Sequence, residues 1–496
     1  MDLKYEFPPQ QQEGKEWFNF PTEIERSLTS VFAPRNILIV GAGIAGISCA
    51  LALSKELTPF VPDLQITIFE RHDILSTSGG AINLTPVAQR HLDRLGVLDE
   101  LDKMGTEGGT DVEAIELFSS RSGRPLGSID FTDQKGNGFG GYKGRRVMRI
   151  VLSVAMLAVV ERTKNINVVF GKKLIRGEEN EDEATLHFQD GTTATGDLVL
   201  GCDGVHSATR THWVSPEHPS EYTGISFLQT VIDAKSIKSP IHFRSTSMNI
   251  SRHGSLLASY CDREHDQIFL AAIVQFNEAN LPSCKIENGQ DWVTQHRIKN
   301  ALHEEMQARF GKSGVPCIRE MTSKSGDWML YPVYQVRPNA RWHTDRALLL
   351  GDAAHAVCFS LSISTYSPSS IRYETNKINQ MPPRDESAAY ALDDAILFSR
   401  ILAKHRHEPL PVAFKAYEDL RRHTVNTAFK ASRRMWEKNR DMGFLEGRLK
   451  ELTFPLYIRN HRQEREAAWA FDATQITIPM PVEGGSLYSH GKSDTS

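Results

Sequence analysis

The chain alternates short, wholly apolar runs with longer stretches whose apolar residues recur at helical spacing. Residues 37–40 are apolar throughout, as expected for a strand covered on both faces. After Gly41-Ala42-Gly43-Ile44-Ala45-Gly46, the positions of Ile47, Ala50, Leu51 and Leu53 predict an amphipathic helix. A second apolar strand, 66–69, ends on Glu70. Helical periodicity returns over 85–101, from Arg149 onward, over 291–310 and from 388 to the end of a long C-terminal region. Two or three short strands are expected over 168–191, and loop or hairpin over 123–144. The alternating runs within 225–276 predict antiparallel strands of a second domain. Residues 1–34 read as a polar, flexible extension with a short helix at 22–30, and the chain from 484 as a flexible tail.

The first stretch carries a specific chemistry. In a G-x-G-x-x-G turn between strand and helix, Gly41 permits the tight turn, Gly43 lets backbone approach a pyrophosphate, and Gly46 lets helix pack on strand. The N–H groups and positive dipole at the helix start hold the anion, and Glu70 is placed to accept hydrogen bonds from an adenosine ribose. Strand, glycines, helix, second strand and terminal acid in this order predict a dinucleotide-binding unit, without deciding between NAD and FAD. Ser76-Thr77-Ser78-Gly79-Gly80-Ala81 is a small-residue loop that admits a ligand close to backbone. Two further apolar strands end on a glycine and an acid: one runs into Gly201-Cys202-Asp203-Gly204 and then Arg210, the other into Gly351-Asp352 and His355. Both place a carboxylate where open α/β sheets bind ligands.

Composition narrows the reading without adding chemistry. A formal net charge of −4, with no basic block, gives no footprint for nucleic acid. The six cysteines are scattered, without metal-ligand spacing, and read as reduced thiols of a cytoplasmic protein. No secretory signal, membrane span or peroxisomal Ser-Lys-Leu terminus is visible. No metal site is expected.

Together, GAGIAG with Glu70, the stretch GCDGVHSATR and the stretch LLLGDAAH resemble the FAD-dependent monooxygenases of the single-component aromatic hydroxylase type. That group includes salicylate-hydroxylase-like enzymes and fungal biosynthetic monooxygenases, and the resemblance covers roughly residues 35–434. It implies a Rossmann-like α/β FAD-binding domain in two parts, 35–211 and 336–483. Between them lies a substrate domain with a mixed or antiparallel sheet, 212–335, and helices close the chain. The resemblance assigns Gly41, Gly43, Ile44, Ala45 and Gly46 to the pyrophosphate turn and Glu70 to the ribose. Ala81 and Arg149 go to FAD contacts, Asp203 to FAD and the reduced nicotinamide, and Asp352 to the ribityl and ribose hydroxyls. His355 is part of the pattern and reads as structural. Arg210 is the one catalytic candidate; it supports the turn at Asp203 or reaches toward substrate. The implied reaction is hydroxylation or epoxidation of a small aromatic or a polyketide- or alkaloid-like secondary metabolite by a monomer or homodimer, with dioxygen and NAD(P)H, through a flavin hydroperoxide. An FAD-dependent reductase or oxidase and an inactive relic are the alternatives. A halogenase is not supported, because no W-x-W-x-I-P stretch is present.

Two departures from the family pattern stand out. Residues 357–380 interrupt it with 24 residues rich in Ser, Thr, Asn and Tyr. They read either as a translated intron (Val-Cys as GTATGT, Gln as CAG) or as a lid-like loop. Joining Ala356 to Met381 restores the pattern up to Leu392-Asp393-Asp394-Ala395. Asp385-Glu386-Ser387 replaces glycines expected against the flavin ring, and acids there disfavour an anionic reduced flavin.

Overall fold

In the computed structural model, residues 33–75, 80–276, 292–356, 387–438 and 440–479 are described. The 1–32 part of the expected extension, Ser76–Gly79 of the small-residue loop, the 357–380 interruption, Asp385 and Glu386, and the expected tail lie outside them.

The apolar runs form a five-stranded, all-parallel sheet in the order Ala347–Leu349, Leu198–Gly201, Asn36–Val40, Gln65–Phe69, Ile166–Val169. The central strands are apolar at nearly every position because helices cover both faces. Ile44–Leu57 and Ser387–Lys404 pack on each other in the same core as this sheet. The register fixes the site. Val40 stands opposite Phe69 and Gly201, and Gly201 opposite Leu349. The next residues of four strands therefore emerge along one carboxyl edge: Gly41, Glu70, Cys202-Asp203 and Leu350-Gly351-Asp352.

A seven-stranded mixed sheet runs Met329–Gln335, Glu221–Asp233, Gln267–Gln275, Gly254–Tyr260, Thr246–Ser251, Ala114–Ser119, Pro125–Asp130. The antiparallel strands expected within 225–276 are its centre, and the parallel pairing of Thr246–Ser251 with Ala114–Ser119 makes it mixed. One face carries the helices Trp292–Phe310 and Pro316–Lys324 over a core of Leu270, Met306 and Phe310. The other face, with Phe227, Phe269, Ile273 and Val333, belongs to a second cluster that includes Ile458 and Trp469 from the C-terminal helices.

One sequence expectation is corrected, and two details of the sheets are added. The 85–101 helix is two helices, Pro86–Arg94 and Val97–Lys103, because Gly96 adopts φ +75° and breaks the run. The loop or hairpin expected over 123–144 contains a strand, Pro125–Asp130, paired antiparallel with Ala114–Ser119, and its polar residues fit an edge position. The larger sheet also draws on residues 114–130.

Candidate FAD site

A cleft of ≈ 600 Å³ opens at the carboxyl edge of the parallel sheet. Gly41, Gly43, Ile44, Glu70, Arg149 and Asp203 line it, as do Arg71, Lys173 and His206. The glycines divide their work. Gly41 has φ +102°, and a Cβ there would lie 2.6 Å from the Cys202 carbonyl oxygen. A Cβ on Gly46 would lie 2.0 Å from the Gly41 carbonyl oxygen. Both positions are closed by the protein itself. A Cβ on Gly43 would meet nothing within 4 Å; that face is open to a ligand. Gly43 N-caps Ile44–Leu57 without a side-chain cap, so the helix's first N–H groups and dipole serve the cleft. Ile44 lines the cleft, whereas Ala45 turns away: a Cβ on Gly351 would lie 3.0 Å from the Ala45 methyl.

Glu70 accepts the Ala42 N–H (3.0 Å) on one carboxylate oxygen and the His72 N–H (3.0 Å) on the other. Each oxygen retains a further lone pair for a ligand hydroxyl. Asp203 is more committed. It accepts the Ser207 hydroxyl (2.5 Å), the Thr209 N–H (2.9 Å) and the Thr209 hydroxyl (3.1 Å). Its side chain holds its own turn in shape, and the turn lines the cleft.

Arg149 begins the helix Arg149–Glu161, and its N–H is tied to the Gly80 carbonyl (3.0 Å). Ala81 pairs with Met148 beside it. Among the described residues the Arg149 guanidinium and the Asp352 carboxylate have no hydrogen-bond partner. They lie close enough for each to bias the other's ionisation. Burial pushes the Asp352 carboxyl above the ordinary carboxylate range, with His355 and Arg149 acting in the opposite sense. Burial likewise pulls the Arg149 guanidinium down, countered by Asp352 and Tyr331. Two desolvated charges without hydrogen bonds are what a site for a polyhydroxylated anion requires. These residues fit FAD: an open Gly43 face, basic groups at the rim, and an acid and a cation awaiting hydroxyls and phosphate.

Of the two roles open to Arg210, the contacts are those of support for the turn at Asp203. Arg210 is fully buried, and its guanidinium donates to the carbonyls of His218 (3.0 Å), Ala353 (2.7 Å) and Val205 (2.5 Å). It is a clamp joining the Asp203 turn to the Asp352 turn and does not line the cleft. Arg210→Met is therefore expected to lower stability by roughly 2 kcal/mol, through three abandoned carbonyls. Turnover per bound flavin should stay unchanged, as thermal unfolding and flavin-normalised rates will read.

Residues the sequence did not single out hold the Asp352 turn. Buried Asp394 accepts the Gly351 N–H (2.9 Å) on Oδ2 and the Arg421 Nε–H (2.6 Å) on Oδ1, and its Oδ2 lies 2.8 Å from His355 Nε2. Its neighbour Asp393 meets buried His91 at 2.9 Å. An acid pair inside the apolar run of Ser387–Lys404 was the visible signal. A larger cleft, ≈ 780 Å³, lies at the opposite edge among Arg35, Glu179, Asp197 and Arg346. Two of its acids are spent on backbone: Asp197 on the Arg35 and Asn36 N–H groups, Glu179 on that of Arg346. Among the described residues no cluster of metal-ligating side chains occurs and no helix is long and apolar enough to cross a membrane.

Residues 35–360 match the family model for the FAD binding domain. The chain is 24% identical over 411 residues to 6-hydroxynicotinate 3-monooxygenase of Bordetella bronchiseptica, covering 80% of this chain and 88% of that one. Among solved structures it superposes on Klebsiella pneumoniae HpxO, complexed with FAD and uric acid. The TM-score is 0.67 at 18% identity, over 88% of this chain and 96% of that one. A salicylate hydroxylase substrate complex gives a TM-score of 0.64 at 18% identity, over 91% of this chain and 100% of that one. With the glycine turn, the acid-ended strands and a family model spanning more than half of its length, this chain belongs to the FAD binding domain family.

Proposed function

We propose that the protein is an FAD-dependent monooxygenase that consumes NAD(P)H to hydroxylate a small aromatic compound. The observation that carries this is the convergence of Gly43, Glu70, Arg149 and Asp352 on one sheet edge, beside an aromatic face of the second sheet. Gly80 donates its N–H to Gln229 Oε1 (2.7 Å), and a Cβ on it would lie 2.2 Å from the Phe269 ring. Tyr331 lies near Arg149. Phe227, Phe269 and Tyr331 thus form a wall against which an aromatic ring packs face or edge on.

Bound FAD supplies the redox chemistry, taking a hydride from NAD(P)H and activating dioxygen. The chain supplies position. Arg149 and the helix start neutralise phosphate, Glu70 and Asp352 accept ribose and ribityl hydroxyls, and the apolar wall excludes water from the reacting ring. No second Rossmann fingerprint is present for the nicotinamide, in keeping with transient docking. The relatives' names point to hydroxylated aromatic and N-heteroaromatic acids as first substrates to test. The test is NADH and NADPH oxidation by the FAD-loaded protein with such a panel, under ¹⁸O₂. One labelled oxygen in the product supports the reading. Oxidation of NAD(P)H without incorporation replaces it with a reductase or oxidase, and no oxidation with any ring favours the relic.

Asp352→Asn separates binding from folding. A raised folded pKa means that the charged carboxylate costs stability at pH values above the ordinary carboxylate range, and that this cost is relieved as pH falls through the raised value. The flavin-free variant is therefore expected to melt at or above the wild type at pH 7 and to lose FAD affinity about tenfold, for one charge-assisted hydrogen bond. Fluorescence titration with FAD and thermal unfolding check the two halves.

A further inference from the structure

A polar side chain interrupts the aromatic face that the larger sheet sets beside the cofactor cleft. Ile225, Phe227, Gln229 and Val231 alternate onto one face of Glu221–Asp233. In the register Phe227 stands opposite Ile273 and Tyr331, and Gln229 opposite Ala271 and Met329. Gln229 is half-buried. Its Oε1 accepts the Gly80 N–H (2.7 Å), and the Gly80 carbonyl in turn accepts the N–H of Arg149 (3.0 Å), which lines the cleft. A Cβ on Gly80 would fall 2.2 Å from the Phe269 ring, so Gly80 rests directly on the sheet. The amide is thus anchored by its oxygen, and a flipped amide would set a donor against the Gly80 N–H. Nε2 diverges from this anchor with two N–H donors, and among the described residues it has no hydrogen-bond partner. The Tyr331 hydroxyl on the same face is turned to the Met329 thioether (3.5 Å).

We propose that Gln229 selects the substrate, donating from Nε2 to a carbonyl or carboxyl oxygen carried by the aromatic ring; this rests on the aromatic-substrate reading given above. The chemistry of the group chooses its complement. An amide nitrogen donates and cannot accept, so its match is an oxygen that only accepts: an aldehyde, ketone, amide or carboxylate oxygen. An amino substituent would set donor against donor. A ring packed on Phe227 and Tyr331 covers the amide and strips its water. That loss is offset only when the ring returns an acceptor, so a ring without one pays an unmatched buried donor. One hydrogen bond beside an otherwise apolar wall therefore fixes which edge of the ring faces the sheet, and discriminates by the penalty on the wrong ring. The oxygen end of the same amide holds Gly80, which keeps the donor in place before any ligand arrives.

The test uses the FAD-loaded full chain and two phenols of nearly the same shape: 3-hydroxybenzaldehyde, whose carbonyl accepts, and 3-vinylphenol, in which a methylene replaces that oxygen. Dissociation constants are read from the perturbation of flavin absorbance and need no turnover. The wild type is expected to bind the aldehyde about tenfold more tightly, for one hydrogen bond. Gln229→Glu keeps an acceptor for the Gly80 N–H but presents an oxygen where Nε2 stood. It is expected to melt and to bind FAD like the wild type, and to reverse the preference, with the aldehyde weakened roughly 100-fold. Gln229→Met removes the anchor and the donor together and is expected to lose the preference without reversing it. Equal binding of the two phenols by the wild type, binding of neither, or a Gln229→Glu protein that still prefers the aldehyde would each overturn the proposal. The monooxygenase reading fails separately. A preference at Gln229 without incorporation of ¹⁸O keeps this proposal and replaces the reaction, whereas incorporation without the preference keeps the reaction and removes Gln229 from it.

Discussion

Gly46→Ala is expected to give a protein without flavin and with a much reduced folded fraction, whereas Gly43→Ala folds like the wild type and loses only flavin affinity. The contrast follows from what each added methyl meets. At Gly46 it falls 2.0 Å from the Gly41 carbonyl oxygen, a backbone atom fixed between the Phe69 and Cys202 strands. Relief requires the helix Ile44–Leu57 to lift from the sheet, at a cost of more than about 3 kcal/mol. At Gly43 the methyl meets no protein atom within 4 Å, and the extended backbone there (φ −81°, ψ −175°) suits any residue. The methyl intrudes only on the bound pyrophosphate, an overpacking of about 1–3 kcal/mol, or tenfold or more in affinity. Thermal unfolding of the flavin-free proteins, followed by titration with FAD, separates the two. A Gly43→Ala protein that binds FAD like the wild type would remove the pyrophosphate from this turn.

Asp394→Ala is expected to destabilise the flavin-free protein by about 3–5 kcal/mol and to abolish tight FAD binding. The first effect is electrostatic: Arg421 is fully buried, and losing Asp394 removes the largest opposing charge beside it, leaving only the weaker one of Asp393. The second is positional: the Gly351 N–H loses its acceptor, and the turn that aims Asp352 is no longer tied to Ser387–Lys404. Burial works against the Asp394 charge, but Arg421 and His355 outweigh it and hold the carboxyl well below the usual carboxylate range. A depressed folded pKa contributes stability above the unfolded carboxylate pKa and loses it as pH falls through the depressed value. The contribution is therefore constant through neutral pH and disappears only in strong acid. Asp394→Asn, which keeps an acceptor for Gly351 but not the charge, should fall between. A variant melting with the wild type at pH 7 would contradict this account.

Much of the fold was legible because its signals are local. An apolar run followed by G-x-G-x-x-G and an amphipathic period specifies strand, turn and helix without reference to the rest of the chain. Gly96, the residue that breaks 85–101, was visible, but its left-handed backbone was not. The strand at 125–130 left loop and hairpin both open in the sequence, since edge strands tolerate polar and glycine residues that also read as loop.

The sequence by itself determined the dinucleotide-binding turn, the acids ending three strands, and the family they resemble, because each depends on residues adjacent in the chain. The tertiary structure decided what those acids and Arg210 do. Asp203 spends its carboxylate on its own turn, Arg210 is buried under two turns rather than set beside a substrate, and Asp394 reaches 43 residues back to Gly351.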